Sequence, residues 1–392
     1  MSSLPTIDEA LALVLARARS LEAEEVPVGR AAGRIVAEPA SAASDLPPFD
    51  SSAMDGYAVR AEDTPGQLNV VGQSAAGKPE ARALGAGEAI VISTGAVVPV
   101  GADAVVPVER TSGNVEVEAV VAGENIRPRG GDAHAGDVVV ERGDVLRPAQ
   151  LGALAAAGVA TVRCSRRPRV AVLATGSELR PPGEPLAPGE IYESNTVLLA
   201  AQLESVGAEV TVLATVGDDE AATRTALARG LDFDVLVTSG GVSVGPHDLV
   251  RGALAELGAE EVFWRVAVKP GKPIAFAVSG ETLVFGLPGN PVSSLVGFEL
   301  FVRPALLALQ GARHPGPAYL PGRVAATVRR NEQRDELIRA RTRIEDGAVV
   351  LAPLSGQESH MIVHSAAADA LVLVPRGAGE LTRGDRVSYL RI

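Results

Sequence analysis

Cysteine, lysine and aromatic residues are scarce in this chain. A single cysteine, Cys164, stands among 392 residues, so one chain can form neither a disulfide framework nor a cysteine-based metal site. Two readings remain for Cys164: a reactive thiol beside Arg163 and Arg166, or a buried structural residue. The five histidines, at 134, 247, 314, 360 and 364, include no pair at the HExxH spacing of zinc hydrolases. Aromatic residues make up 3% of the chain against a hydrophobic fraction of 46%, so the core is expected to be built from Val, Leu, Ala and Ile. A basic surplus is missing as well. The formal net charge of −12 argues against a nucleic-acid partner, although an acidic chain can still carry a locally basic pocket. No 18 consecutive residues are apolar, so no membrane span is expected. The apolar run at 11–16 is short and follows Asp8 and Glu9 rather than basic residues, unlike a signal peptide. The cytoplasm is the expected compartment.

Among the 36 basic residues only Lys78, Lys269 and Lys272 are lysines, and two of these share one four-residue stretch. The ammonium group is a compact, strongly hydrated point charge, unlike the planar guanidinium fork. Two such groups three residues apart, on a backbone stiffened by Pro270, Gly271 and Pro273, suit a multiply charged oxyanion. Solvated surface lysines are the alternative reading.

At 100–200 residues per domain, roughly, the length implies two to four domains. Thr6 and Glu9 form a capping-box pattern ahead of an amphipathic helix expected at 6–20. Residues 45–140 are rich in Val, Gly, Pro and Asp in short alternating runs, as in a small β domain. It interrupts an N-terminal helical and extended region, 1–44 with 141–167, in which a helix is expected at 148–157 between Pro148 and Gly158. From 168 to 313 apolar strands (169–175, 209–216, 233–239, 262–268, 273–278, 282–287) alternate with helices (195–206, 219–230, 248–257, 291–310). This pattern predicts an α/β domain with a mostly parallel sheet. Strands at 323–330, 336–344, 348–352 and 371–375 then predict a C-terminal β-barrel-like domain, 314–392.

Ligands of such α/β sheets bind beyond the carboxyl ends of the strands, which directs attention to three loops. TGSE (175–178) carries Glu178. TSGGVSVGPHD (238–248) offers hydroxyls from Thr238, Ser239 and Ser243, with Gly240 and Gly241 allowing close backbone approach. It is neither a Walker loop nor a dinucleotide loop, and an ordinary strand–helix turn is its other reading. LPGNPVSS (287–294) places Pro288 before Asn290 at a helix N-cap and Pro291 at the first helical position. That helix end, with Ser293 and Ser294, favours anions, though capping alone explains the same residues. Asp218 and Asp219 follow the strand expected at 209–216, and Asp248 ends the Gly-rich loop. Carboxylates beside a phosphate-type loop suit Mg²⁺, while Asp248 also suits a helix cap.

Taken in order, PPFDSSAMDGYAV (47–59), TGAxxPxGADAVV (94–106), RxxGGDxxxG (127–136), ATGSEL (174–179), IYESN (191–195), TSGGVSVGPHD, KPGKP (269–273) and GLPGNPVSS (286–294) resemble the MoeA-type molybdopterin molybdenumtransferases and the E-domain of gephyrin, over essentially the whole chain. The resemblance implies molybdenum cofactor biosynthesis: binding of adenylylated molybdopterin and molybdate, Mg²⁺-dependent hydrolysis of the adenylyl anhydride, insertion of molybdenum at the dithiolene, and release of AMP. It implies four-domain subunits with an α/β domain like that of the small molybdopterin adenylyltransferases. It also implies a homodimer whose site lies between the α/β domain of one subunit and the C-terminal domain of the other, the stiff linker at 314–322 holding that domain away from its own α/β domain. Molybdopterin adenylyltransferase and molybdoenzymes are the implied partners. The family's functional residues fall on Asp55, Thr94, Glu178, Asp218, Asp248, Lys269, Lys272, Ser293, Arg339 and Ser359, with Asp218 and Asp248 as metal ligands and, with Glu178, as catalytic groups. Arg265 stands where bacterial relatives often have Lys, which leaves at most a phosphate contact there. Adenylylation of molybdopterin and a non-catalytic scaffold are the competing readings. The PPFDSSAMDGYAV region and the length oppose the first, the retained lysines and aspartates the second.

Overall fold

Alternation of apolar strands with helices decides the architecture from residue 169 onward. The computed structural model describes residues 4–113, 115–241 and 249–392. The chain divides into two compact units, one made of Glu25–Glu141 with Leu146–Cys164, the other of Met1–Glu24, Arg142–Val145 and Ser165–Ile392.

The first unit is built from short strands. A four-stranded sheet sets Gly56–Val59 between Glu88–Ile92 and Ala104–Pro107, with Asn69–Ser74 at its edge. Gly56 is required there, because a Cβ would lie 2.0 Å from the carbonyl oxygen of Val106. The helix Pro148–Ala156 ends at Gly158 (φ +80°). A small core of Val26, Val36, Leu146, Leu154, Val162 and Cys164 packs beside it. Cys164 is fully buried, which decides between its two readings in favour of the structural one.

The second unit opens on α1 (Ile7–Leu15), where the capping box forms in full and Ile7, Ala10 and Val14 are buried. The helix stops five residues before its expected end, since from Ala16 on the sequence offers no further buried apolar position. The sheet of the α/β domain contains β1 (Arg169–Ala174), β2 (Glu209–Val212), β3 (Val235–Ser239), β4 (Glu260–Trp264), β6 (Ala275–Ser279) and β7 (Thr282–Leu287), in the order β2-β1-β3-β7-β6-β4. The first four of that order are parallel; β6 and β4 add on antiparallel. Helices α2 (Asn195–Ser205), α3 (Glu220–Gly230) and α4 (Leu249–Glu256) provide the crossovers. β3 and β7 are buried along their whole length, as central strands covered on both faces must be.

The strand expected at 262–268 breaks in two. Arg265 takes a left-handed conformation (φ +75°), which a regular strand cannot contain. The chain therefore leaves the sheet and forms β5 (Val268–Lys269), a strand of a different sheet. The long helix is also composite. Pro291–Gly297 and Arg303–Leu309 are α-helical, joined by a π-helical turn at Phe298–Val302. By length and composition this helix would cross a membrane, but 83% of its apolar window is buried inside the protein. Phe298, Leu300, Phe301 and Val302 anchor the core of the unit, and each contributes about 1.5–3 kcal/mol by leaving water.

The C-terminal domain closes on itself. Strands β8 (Leu320–Val324), β9 (Asp335–Glu345), β10 (Ala348–Pro353), β11 (Ala370–Val374) and β12 (Arg386–Arg391) run round a ring in the order β9-β10-β8-β12-β11 and back to β9. β12 was not expected, and without it the ring has a gap between β8 and β11. One expectation is corrected here: the linker does not hold this domain away from its own α/β domain. β5 pairs in parallel with the start of β9, Val268 opposite Asp335 and Lys269 opposite Glu336. Backbone pairing thus joins the two domains within one chain.

Candidate functional site

Where β1, β3 and β7 end, their loops surround a cavity of about 570 Å³, lined among others by Glu178, Glu193, Asn195, Asp218, Ser239 and Asn290. The TGSE loop is fixed through its backbone: the Gly176 N–H donates to the Val216 carbonyl at 2.9 Å, and the Glu178 carbonyl accepts from the Ile191 N–H at 2.9 Å. The two adjacent aspartates divide their work. Asp219 caps α3, accepting from the Ala222 N–H at 2.6 Å. Asp218 is fixed through its backbone, whose N–H donates to Ser177 Oγ at 2.9 Å, and its carboxylate is exposed. Among the described residues, the side chains of Glu178 and Asp218 make no hydrogen bond or ion pair.

The Gly-rich loop differs from expectation. Thr238 is fully buried and its Oγ lies 3.5 Å from the Phe285 carbonyl oxygen. The Gly240 N–H donates to the Leu287 carbonyl at 3.0 Å. Neither group is therefore open to a ligand: β3 is a central strand, and its last residues are consumed in packing and pairing. Ser239, Gly240 and Gly241 do line the cavity. Ser243 and Asp248 lie outside the described residues.

A second cavity of about 270 Å³ adjoins the first. Lys269, Lys272, Ser293, Arg334 and Ser359 are among its lining residues, and Pro273, Pro288 and Asn290 line both cavities. Lys269 pairs with Glu336 of the C-terminal domain at 2.9 Å. Lys272 is exposed and has no ion-pair partner among the described residues. Asn290 occupies the N-cap position beside Pro291, but its side chain does not cap. Instead its Nδ2 donates to Ser359 Oγ at 2.8 Å. The helix end expected to favour anions is largely spent: the Val292 N–H donates to the Ser359 carbonyl at 3.1 Å, and those of Ser293 and Ser294 donate to the Asn290 carbonyl at 3.0 and 3.1 Å. Ser294 Oγ is turned to the Pro288 carbonyl at 2.6 Å. Positive charge in this pocket comes from side chains.

Arg339 requires a correction. It is 1% exposed. Its guanidinium donates to the carbonyl oxygens of Met361 (2.5 Å), Gly356 and Glu358 (3.3 Å) and to Ser365 Oγ (2.9 Å). Burial pulls its pKa below the ordinary arginine value, opposed by Glu358. Four of its five N–H donors are taken by the protein itself, and among the described residues only the Nε–H is without a partner. The guanidinium pins the 356–365 segment, which carries Ser359.

Asp55 and Thr94 belong to the other unit. Both are exposed, and the Thr94 N–H donates to Asp55 Oδ1 at 2.8 Å. Arg265 lies over Trp264 at 3.8 Å from the ring centroid, and Arg251 lies over the same ring at the same distance, a cation–π contact. Sequence reasoning gave no role to Glu193, Asn195 or Arg334. Glu193 is buried and accepts from the N–H groups of Asn195 (2.7 Å) and Thr196 (2.9 Å) and from the Thr196 hydroxyl, so it caps α2 from inside. Two polar residues flanking a helix start in IYESN were the available signal. Arg334, in an arginine-rich chain, gave none. No group of three or more His, Cys, Asp or Glu that could hold a metal occurs among the described residues.

Three family profiles match in tandem: the MoeA N-terminal region (domains I and II) at 5–158, a probable molybdopterin-binding domain at 171–308, and the MoeA C-terminal region (domain IV) at 321–392. Molybdopterin molybdenumtransferase 2 of Mycobacterium tuberculosis is 38% identical, covering 92% of this chain and 93% of its own. The molybdopterin molybdenumtransferase of Haemophilus influenzae is 36% identical, with 96% and 98% covered. A crystal structure of the molybdopterin biosynthesis MoeA protein of Pyrococcus horikosii superposes with a TM-score of 0.83 at 32% identity, covering 100% of this chain and 99% of that one. Similarity of this extent, in sequence and in fold, means that the chain belongs to the molybdopterin molybdenumtransferase family, enzymes of molybdenum cofactor biosynthesis.

Proposed function

We propose that this enzyme takes molybdenum from molybdate into adenylylated molybdopterin, with hydrolysis of the adenylyl anhydride and release of AMP. The observation that carries the reading is the pair of adjoining cavities, one with open carboxylates and one with lysines, sharing the wall of Pro273, Pro288 and Asn290. Molybdate is a compact dianion and suits the ammonium groups of Lys269 and Lys272 with the Ser293 and Ser359 hydroxyls. The anhydride suits the larger cavity. Glu178 or Asp218 orients water and accepts its proton as the water oxygen bonds to phosphorus, and the bond to the leaving phosphate oxygen breaks.

Among the described residues, the larger cavity's charged side chains, Glu178, Glu193 and Asp218, are all carboxylates. One or two carboxylates joined by substrate oxygens fit Mg²⁺, which does not need a protein cage. Asp218 is the described residue placed to hold it, with Asp248 its implied companion. When bound, Mg²⁺ neutralises charge on the phosphates.

A homodimer with shared sites belongs to the same proposal. Since the chain's own C-terminal domain already lines the lysine cavity, Asp55 and Thr94 are the candidates for a partner's contribution. Refolding Asp55→Ala and Asp218→Asn chains together at equal amounts tests this: shared sites restore about a quarter of all sites in statistical mixtures. No recovery in confirmed mixed dimers means unshared sites. The activity itself is tested by incubating the enzyme with adenylylated molybdopterin, Mg²⁺ and either molybdate or tungstate. AMP release that depends on both Mg²⁺ and the oxyanion is expected. Unchanged substrate with either oxyanion overturns the assignment.

A further inference from the structure

Asn195 is 8% exposed and lies in the wall of the larger cavity. Its amide can be oriented without ambiguity. One side faces the Gly289 carbonyl oxygen at 2.7 Å, which only accepts, so the nitrogen must be there. The same nitrogen lies 2.7 Å from Ser239 Oγ. Both amide protons are therefore spent, one on Gly289 and one on the serine oxygen. The amide oxygen Oδ1 is buried with no hydrogen-bond partner, a costly arrangement that native structures seldom keep without a reason.

The consequence falls on Ser239. A hydroxyl has one proton to give and lone pairs with which to receive. With Asn195 donating to its oxygen, the Ser239 proton must point elsewhere, and among the described residues it has no acceptor. Ser239 is 2% exposed and lines the same cavity as Glu178 and Asp218. We propose that Asn195 is a positioning residue that sets the polarity of Ser239, holding its hydroxyl as a donor to a phosphate oxygen of the substrate. The same amide joins the start of α2, the end of β3 and the loop after β7, so the donor stands at a fixed place relative to the wall between the two cavities. This rests on the proposed function, because it takes the anionic ligand of the cavity to be a phosphate. Two phosphates fit that chemistry, the one on molybdopterin and the one of the adenylyl group.

Full-length protein is titrated calorimetrically with AMP, with molybdopterin, and with adenosine as the phosphate-free control. Wild type is compared with Asn195→Asp, Asn195→Ala, Ser239→Ala and the Asn195→Ala/Ser239→Ala double variant, and the melting temperature of each is recorded. Asp at 195 accepts from Ser239 instead of donating, which turns the serine lone pairs to the ligand. Expected at pH 8 is about a hundredfold weaker binding of the phosphate ligand in Asn195→Asp and about tenfold in Asn195→Ala, with adenosine unaffected. The Asn195→Asp deficit relative to wild type shrinks as pH falls and the new carboxyl is protonated. In the Ser239→Ala background the effect of Asn195→Ala disappears. Whichever of AMP and molybdopterin shows the pattern identifies the phosphate that Ser239 contacts. If the variants lower the melting temperature but bind phosphate ligands as wild type does, or if the two alanine effects add, Asn195 is only a strut and the inference is overturned. A wild-type enzyme that binds neither phosphate ligand overturns the proposed function, and the inference with it.

Discussion

The two edges of the parallel sheet treat charge in opposite ways. At the amino edge, where β1 and β3 begin, Arg166 grips Asp234 through both terminal nitrogens at 2.6 and 2.8 Å, and the Arg169 N–H adds a third bond at 2.7 Å. Burial pushes the Asp234 carboxyl up, but Arg166, the Arg169 N–H and the Arg169 charge together hold it below its ordinary value. At the carboxyl edge Glu178, Asp218 and Lys272 are exposed and have no ionic partner among the described residues, and the Asn195 amide oxygen is buried without a hydrogen-bond partner. Charges that complete each other hold the sheet together. Charges and polar atoms left over are what a ligand can complete.

Removing the buried guanidinium gives the largest effect on stability. Arg339→Ala leaves its four oxygen partners without a donor and opens a cavity, so a loss of about 3–5 kcal/mol is expected in chemical denaturation. Arg339→Ala that denatures like wild type shows that the 356–365 segment does not depend on it.

Asp234→Asn sharpens the contrast from the amino edge. A carboxylate with a depressed folded-state pKa stabilises above its unfolded pKa, and the contribution is lost as pH falls through the folded value. Wild type should exceed Asp234→Asn by about 1–3 kcal/mol at pH 7, and the gap should close below about pH 4, near the ordinary aspartate pKa. A gap independent of pH rules out the ion pair as its source.

The smallest effect separates the two lysines. Lys269 is partly neutralised by Glu336, whereas Lys272 is not. Lys272→Ala is expected to weaken molybdate binding about tenfold and Lys269→Ala less. Equal losses in titration calorimetry mean that the Glu336 pair opens when the oxyanion binds.

What the sequence reveals follows from how local each signal is. Apolar runs closed by Gly and Pro located β1, β3, β7 and their loops, because strand ends are written in consecutive residues. Two lysines in an arginine-rich chain marked the second cavity for the same reason. The side-chain accounts could not be read in this way. Thr238 looks like a loop hydroxyl but is buried, since β3 lies between two other strands. Asn290 looks like a cap, yet it reaches Ser359, 69 residues away. Asn195 matters only because Ser239 and Gly289 arrive beside it from other loops. The ring closure through β12 was equally hidden, because a strand's neighbours are set by the whole barrel and not by its own residues.

The contrast between the edges is tested most directly by comparing Asp218→Asn with Asp234→Asn in one experiment, recording melting temperature and Mg²⁺-dependent AMP release from adenylylated molybdopterin. Expected for Asp218→Asn is an unchanged melting temperature and AMP release reduced by about a hundredfold or more. For Asp234→Asn the expectation is a melting temperature lower by several degrees, at about 2–4 °C per kcal/mol, with release near wild type wherever the protein is folded. The opposite result, full release in Asp218→Asn or loss of release in folded Asp234→Asn, would contradict the division between an edge that holds the sheet and an edge that does the chemistry.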